Sequence, residues 1–242
     1  MPILSQLAAG GPLHDERHGP LPTLLFVLTM VTGLVDSVSY LKLGHVFVAN
    51  MTGNVVFLGF AVADAQDFSI PASLVAIAAF LAGALAGGRL ASSLGQHRGR
   101  LLAVTTYIKI GLVGAALGLS MAAPDLDGLP ARYGLIVSLA LAMGLQNAIA
   151  RRLGVPDLTT TVLTLTLTGL AADSTLAGGK NLNPGRRVMA TVTMFLGAAI
   201  GALLIFKVGV SAALALALAL LLVNGVAAFW LSSSSEPWTA GS

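Results

Sequence analysis

The stretch His45-Val-Phe-Val-Ala-Asn-Met-Thr-Gly-Asn-Val-Val-Phe-Leu-Gly59 is apolar overall and has a polar, glycine-containing centre. Asparagine and glycine disfavour the continuous helix that a membrane crossing needs. A second stretch of this kind, from Asp157 to Gly169, contains six threonines. The two segments, 45–63 and 157–173, either cross a membrane or enter and leave it on one side as re-entrant segments.

The surrounding sequence has the composition of a membrane protein. Of 242 residues, 56% are hydrophobic and 10% charged, whereas soluble domains carry about a quarter charged residues. We predict an all-α polytopic bundle with one membrane domain over 21–231, an N-terminal cytoplasmic tail over 1–20 and a disordered C-terminal tail over 232–242. Six apolar segments have about the twenty residues that a span requires. These segments are 21–41, 70–90, 101–123, 133–150, 188–206 and 208–231.

The distribution of basic residues predicts the topology, because cytoplasmic loops are enriched in lysine and arginine. Eight spans with an external N-terminus divide these residues seven to five between the two sides, and the opposite orientation is worse. Six spans and two re-entrant segments, with both termini in the cytoplasm, divide them nine to three. The nine are Arg17, Arg89, Arg98, Arg100, Arg151, Arg152, Lys180, Arg186 and Arg187, and the three are Lys42, Arg132 and Lys207. The acidic loops around Asp64, Asp67, Asp125 and Asp127 are then external.

The two halves of the membrane domain, about 21–123 and 133–231, resemble each other in sequence. Gly33-Leu-Val-Asp36 matches Gly144-Leu-Gln-Asn147 at an offset of 111 residues, and Thr52 matches Thr164 at 112. Phe80-Leu-Ala-Gly matches Phe195-Leu-Gly-Ala at 115. Three crossings in each half would invert the second half relative to the first. Inverted repeats with broken helices near the midplane are typical of transporters.

Catalytic and cofactor motifs are scarce in this sequence. The chain has no cysteine, and its four histidines lie in the N-terminal tail or near predicted loops, without metal-ligand spacing. Nucleophile-elbow, zinc-protease and phosphate-loop patterns are absent. We therefore expect neither an enzyme nor a cofactor or metal site. The net charge of +3 comes from scattered basic residues, so we expect no nucleic-acid partner.

Two charged residues lie deep in predicted spans, where charges are costly and tend to be functional. Asp36 is a candidate ion or proton site, or alternatively a helix–helix contact. Lys109 lies nine residues beyond Arg100, about 13 Å into the membrane. An ion pair between Asp36 and Lys109 is attractive because no other charges lie so deep in the six spans.

Uncharged polar residues complete the candidate solute-binding set. Asn50 and Asn54 share one face of a short helix, and Gly53 permits a break there. The threonines of the second segment either line a cavity or bond their own helix backbone. The candidate residues beyond Asp36 and Lys109 are Asn50, Thr52, Asn54, Gln146, Asn147, Thr160 and Thr164.

Small residues spaced four apart occur in the third apolar element of each half. These pairs are Gly83 with Gly87 and Gly197 with Gly201. Such pairs allow close helix packing, either within the chain or in a homo-oligomer.

Several of these motifs together resemble one protein family. Gly33-Leu-Val-Asp-Ser-Val-Ser-Tyr40 and Phe47–Asn54 resemble the signature of the YoaK-like bacterial membrane proteins, and Gly144–Ala148, Arg151-Arg152 and the Thr159–Thr164 run resemble its second signature. The similarity covers about residues 20–230. It implies about six spans and an inner-membrane location, and it supplies no activity because the family is a domain of unknown function. Where family members often carry Thr-Gly in the second half, this chain has Thr164-Leu165.

These features favour a transporter or channel for a small polar or ionic solute, with a site near the membrane midplane. The alternative is a non-transporting membrane scaffold or accessory subunit. The partners expected are therefore the lipid bilayer and a solute that the sequence does not identify.

Overall fold

The computed structural model describes residues 17–123, 126, 128–179 and 183–240. Within these residues the fold is entirely α-helical, with two single-turn 3₁₀ helices at Thr175–Ala177 and Pro237–Thr239. In chain order the α-helices are α1 (Leu21–Lys42), α2 (Met51–Val62), α3 (Ile70–Leu94), α4 (Arg98–Ala122), α5 (Leu129–Leu153), α6 (Leu163–Ala172), α7 (Pro184–Lys207) and α8 (Val210–Leu231).

Six of these helices, α1, α3, α4, α5, α7 and α8, are long and apolar enough to cross a membrane. The other two are too short. At 1.5 Å per residue, the 12 residues of α2 and the 10 of α6 extend about 18 Å and 15 Å, against about 30 Å of hydrocarbon. The prediction of a helical membrane bundle with about six spans is confirmed.

Contacts between the helix ends define two faces of the bundle. At one end, Arg132 Nε at the start of α5 donates to the carbonyl of Leu43, just after α1, over 2.9 Å. At the other end, Arg98 at the start of α4 donates to the carbonyls of Leu153 and Trp238. We call the second end the termini face, because residues 17–20 and 232–240 both lie there, and the first end the far face.

Each short helix belongs to a hairpin that returns to the face from which it came. Residues 43–50 run inward from the far face, and α2 then runs back outward. The two ends of this hairpin meet where His45 Nδ1 contacts the carbonyl of Asp67 at 3.1 Å. On the termini face, Arg187 pairs with Asp157 before α6 and with Asp173 after it. Segments 45–63 and 157–173 are therefore re-entrant, and the eight-span alternative is wrong.

The helices of the two halves pack against each other in the same way. The helix α1 packs on α7, and α5 packs on α3. Glycines on these helices lie so close to the facing helix that a Cβ atom there would clash. Four of them meet backbone atoms, in two equivalent pairs of contacts: Gly33 with Met194 and Gly144 with Phe80, then Gly197 with Met30 and Gly83 with Leu141. Two meet side chains, Gly201 with Ser37 and Gly87 with Ala148.

These contacts set the correspondence between the halves. Positions on α1 and α5 differ by 111, as predicted, and positions on α3 and α7 differ by 114. The predicted match of Phe80 with Phe195 is therefore wrong by one residue, because the equivalent of Phe80 is Met194. All four predicted glycines of the small-residue pairs lie between helices of the same chain, so they serve close packing within the protomer.

The C-terminal segment packs against the bundle. Trp238 is 8% exposed and covers Gly19, and Ala240 forms a backbone bridge with His97. The prediction of a disordered tail from 232 is therefore wrong for residues 232–240, because a buried tryptophan fixes them. Residues 1–16, Asp125, Asp127, Lys180 and residues 241–242 lie outside the described part of the chain.

Candidate functional site

A cavity of about 650 Å³ lies between the two re-entrant hairpins. Asp36 lies six residues before the end of α1, and Asn147 lies six residues before the end of α5. Asp36 is therefore about 9 Å from the far face, and Asn147 is about 9 Å from the termini face. The cavity that both residues line occupies the middle of the bundle. Its polar lining consists of Asp36, Asn50, Thr52, Asn147, Thr161 and Thr164, and its apolar lining includes Phe47, Met51, Phe57, Phe80 and Met194.

The Asp36 carboxylate holds the innermost turn of the first hairpin. Its Oδ1 accepts hydrogen bonds from the backbone N–H groups of Val48 at 3.1 Å and Ala49 at 2.9 Å. Asp36 is the sole ionisable side chain among the residues that line the cavity. It therefore fixes the hairpin and places one acidic group on the cavity wall.

Asn147 occupies the equivalent position in the second hairpin. Its Oδ1 accepts a hydrogen bond from the Thr161 hydroxyl, and its Nδ2 donates to the carbonyl of Met143 at 3.0 Å. Ala49 and Thr161 are equivalent residues, at the offset of 112 that relates α2 to α6. The hydrogen bond between the long helix and the turn before the short helix is thus made in both hairpins. In the first hairpin a carboxylate accepts from backbone N–H groups, and in the second an amide accepts from a hydroxyl.

Both short helices begin at the cavity without a cap. The side chains of the preceding residues, Asn50 and Val162, accept no hydrogen bond from the first turn, and the N–H groups of 51–53 and 163–165 have no protein acceptor among the described residues. Five of these six residues line the cavity. The cavity therefore carries uncapped donors and the positive ends of two helix dipoles.

Asn54 has a structural role away from the cavity wall. Its amide accepts from the N–H of Phe47 at 2.8 Å and donates to the carbonyl of the same residue at 2.6 Å. The side chain is fully buried. It therefore ties α2 to the non-helical segment before it, and Asn54, one of the predicted solute-binding residues, is not among the residues that line the cavity.

Lys109 anchors a buried polar network behind the cavity. Its ammonium donates to Gln146 Oε1, and Gln146 Nε2 donates to the hydroxyls of Thr32 and Thr160, each at 2.9 Å. These four residues are at most 4% exposed. Gln146 and Thr160 each precede a cavity residue in sequence, so the network supports the cavity wall from behind.

The predicted ion pair between Lys109 and Asp36 does not form. Asp36 points to the loop before α2, while Lys109 meets Gln146, which faces a different direction around α5 from the cavity residue Asn147. Lys109, Gln146 and Thr160 therefore lie outside the cavity lining, although the sequence placed them among the candidates. Of the predicted set, Asp36, Asn50, Thr52, Asn147 and Thr164 come together.

The two hairpins are held by different interactions. An aromatic cluster fastens the first, with Tyr40 stacked on Phe47 at 5.0 Å and Phe57 stacked on Phe68 at 4.8 Å between ring centroids. The second has no such cluster. There Arg187 donates to Asp157 at 2.9 Å, to Asp173 at 2.8 Å and to the carbonyl of Gly169.

We expect Arg187→Gln to loosen the second hairpin, because it removes the ion pairs and leaves the partly buried Asp157 carboxylate without a partner. The loss in unfolding free energy should be about 1–3 kcal/mol, most of it from Asp157, since Asp173 is half exposed. Thermal unfolding in detergent measures this loss. Arg89→Gln, at an exposed arginine of α3, should leave the unfolding temperature unchanged, and equal stability of the two variants would refute the clamp.

Several cavity residues were not among the predicted candidates. Thr161 lies in the threonine run, and its position opposite Ala49 could have been found from the offset between the halves. Phe47, Phe57 and Met194 are apolar, and no sequence pattern separates them from lipid-facing residues. Among the described residues, no group of three His, Asp or Glu side chains has the arrangement of a metal site.

Fold and site together define a six-span membrane protein in which two re-entrant helices enclose a polar cavity. A family described as "Protein of unknown function (DUF1275)" matches residues 24–227, and the chain belongs to this family.

The chain is also 35% identical, over 156 residues, to the UPF0700 transmembrane protein YoaK of Bacillus subtilis (strain 168). That alignment covers 62% of this chain and 66% of the relative, just under two thirds of its length. No solved structure matches the chain. The resemblance to the YoaK-like family is thus confirmed.

Proposed function

We propose that this protein is a transporter or channel for a small polar or ionic solute, which binds in the cavity between the two hairpins. The observation that carries this proposal is the meeting of two uncapped helix N-termini with Asp36 in one cavity.

Backbone donors at membrane depth need partners, because lipid offers none. In the cavity these donors are the first-turn N–H groups of α2 and α6, whose residues line it. Water or a polar solute can satisfy them, and neither reaches the centre of a bundle without a path. A hydrated path into the membrane is what a transporter or channel provides.

The arrangement of the halves supports the same proposal. The hydrogen-bonded turns at Asp36 and Asn147 are equivalent, and one belongs to a hairpin from the far face while the other belongs to a hairpin from the termini face. We infer from this an inverted repeat. Movement of either hairpin would open the shared cavity to a different face, which is the principle of alternating access.

We further propose that the termini face is cytoplasmic and that the membrane is a bacterial inner membrane. The nine-to-three distribution of basic residues supports this orientation. The short loops leave little room for a catalytic apparatus, so an enzymatic role is not part of the proposal.

Single-cysteine variants provide a test that needs no knowledge of the solute. The chain has no cysteine, so the introduced cysteine is the sole thiol in each of the variants Thr52→Cys and Thr164→Cys. Reaction with a membrane-impermeant thiosulfonate requires water, because the thiolate is the reactive form. We expect both variants to react in intact vesicles, from at least one face. Ala140→Cys, fully buried in α5, should stay unlabelled, and Ser232→Cys reports which face is cytoplasmic.

Flux measurements in proteoliposomes then distinguish transport from a hydrated but closed core. A panel of inorganic ions and small metabolites is compared for wild type, Asp36→Asn and Asn50→Ala. We expect a solute that moves with wild type and at least about tenfold more slowly with the variants. If such a solute moves at the wild-type rate in both folded variants, the proposed site is wrong.

The competing function is a scaffold or accessory subunit with a sealed polar core. It predicts that Thr52→Cys and Thr164→Cys are as unreactive as Ala140→Cys. Labelling of the cavity cysteines would argue against it.

A further inference from the structure

A second cavity, of about 630 Å³, opens at the termini face between the ends of α3 and α5. On α3 it is lined by Gly88, Ala91 and Ser92, and on α5 by Ala148, Arg151 and Arg152. We call it the arginine groove. It lies apart from the first hairpin and meets the second at Gly154, where that hairpin begins, and none of its lining residues lines the central cavity.

The two arginines of the groove carry unneutralised charge. Both are exposed, and neither has an ion-pair partner among the described residues. Arg187, on the same face, is by contrast held by Asp157 and Asp173. A phosphate accepts paired hydrogen bonds from arginine, so two arginines that line one groove without a carboxylate partner suit an anionic phosphate ligand.

The equivalent position at the far face provides an internal comparison. By the offsets of 111 and 114, Arg151 and Arg152 correspond to Tyr40 and Leu41, while Ala91 and Ser92 correspond to Ile205 and Phe206. Large apolar side chains therefore stand where the groove has small side chains and charges. The helix pair α3 and α5 has the same close contacts as α7 and α1, so the groove arises from these substitutions and not from the packing.

A stripe of lipid-facing residues leads from the groove toward the bilayer centre. Leu81 and Leu85 on α3 are 60% and 58% exposed. They share one helix face with Gly88 and Ser92, at spacings of four, three and four residues. A molecule with a phosphate at the arginines would thus have an apolar track for a chain directly beneath it.

We propose that the arginine groove binds an anionic phospholipid, with its phosphate at Arg151 and Arg152 and an acyl chain along Leu81 and Leu85. Basic pockets between helices at a membrane surface are suited to such headgroups. The apolar track favours a lipid over a soluble phosphate. This site does not depend on the proposed transport function.

Native mass spectrometry of the purified full chain in detergent tests the proposal. Phosphatidylglycerol and phosphatidylcholine with identical acyl chains are compared, and glycerol 3-phosphate and inorganic phosphate serve as soluble probes. We expect saturable, preferential retention of phosphatidylglycerol and no retention of the soluble probes. The double variant Arg151→Gln/Arg152→Gln should weaken this retention about thirtyfold, whereas Arg89→Gln, on the same face outside the groove, should leave it unchanged.

A second variant tests the shape of the groove independently of its charge. Ser92→Phe introduces the residue found at the equivalent far-face position, fills the groove and keeps both arginines. We expect it to weaken retention as well. Equal retention of both lipids by wild type, or unchanged retention in Ser92→Phe, would overturn the proposal. If the soluble probes bind as tightly as phosphatidylglycerol, the proposal that a lipid occupies the groove is wrong.

Discussion

Replacing Asp36 by alanine is expected to detach the inner turn of the first hairpin and to abolish any flux through the central cavity. The carboxylate accepts hydrogen bonds from Val48 and Ala49, both buried residues. Hydrogen bonds to a charged group contribute about 1.5–3 kcal/mol each, and their loss leaves two buried donors without acceptors. We therefore expect a decrease in unfolding free energy of about 3–6 kcal/mol, measured by thermal unfolding in detergent.

Asp36→Asn separates the structural role of this residue from its charge. The amide keeps an oxygen in the position of Oδ1, as Asn147 does in the second hairpin, so most of the stability should remain. Its flux should still fall, since the cavity wall then carries no acidic group. A stable alanine variant would contradict the structural role, and a fully active asparagine variant would contradict the role of the charge.

The spans were predictable from sequence because each depends on the local composition of about twenty residues. Segment 70–90 differs from the helix Ile70–Leu94 at its C-terminal end alone, and segment 208–231 differs by two residues at its start. The re-entrant segments were predictable from polar residues together with the distribution of charge. Their non-helical first halves, 43–50 and 154–162, were not predictable, because these depend on tertiary hydrogen bonds such as those that Asp36 accepts.

The site was predictable in part for the same reason. Asp36 and Asn147 stand out because polar groups in lipid must find partners. Which partner they find depends on the direction of each side chain around its helix. Gln146 and Asn147 are adjacent in sequence, yet one faces Lys109 behind the cavity and the other faces the cavity. The local amino-acid composition does not predict in which direction each of these two side chains points.

For the C-terminal tail, the sequence suggested disorder, whereas the structure packs residues 232–240 against the bundle. Its serines and its distance from the last span suggest disorder, but Trp238 is buried against Gly19, whose φ is +52°. This aromatic contact and hydrogen bonds to His97, Arg98 and Arg100 fix the segment. Such a contact is not visible in local composition.

Gly144→Ala is expected to destabilise the fold strongly, although it adds a single methyl group in a buried helix. The new Cβ would overlap the backbone carbonyl of Phe80 on α3. Backbone atoms of a packed helix cannot rotate away, so α3 and α5 would have to separate along the contact that forms the cavity wall. Overpacking of this kind costs about 1–3 kcal/mol or more. We expect the unfolding temperature to decrease by about 5–10 °C.

The repeat and the neighbouring helix α4 supply matched controls for this substitution. Gly33→Ala places the same methyl group at the equivalent contact, against Met194 and Ala198, so it should destabilise to a similar extent. Gly114→Ala lies in α4, where no atom is within 4 Å of the added Cβ. Since alanine favours a helix by about 1 kcal/mol over glycine, this control should be neutral or slightly stabilising. A Gly144→Ala variant that unfolds at the temperature of Gly114→Ala would show that α3 and α5 are not in close contact. Instability of Gly144→Ala alone, with a stable Gly33→Ala, would show that the two halves do not pack equivalently, and the inverted repeat would then lose its structural support.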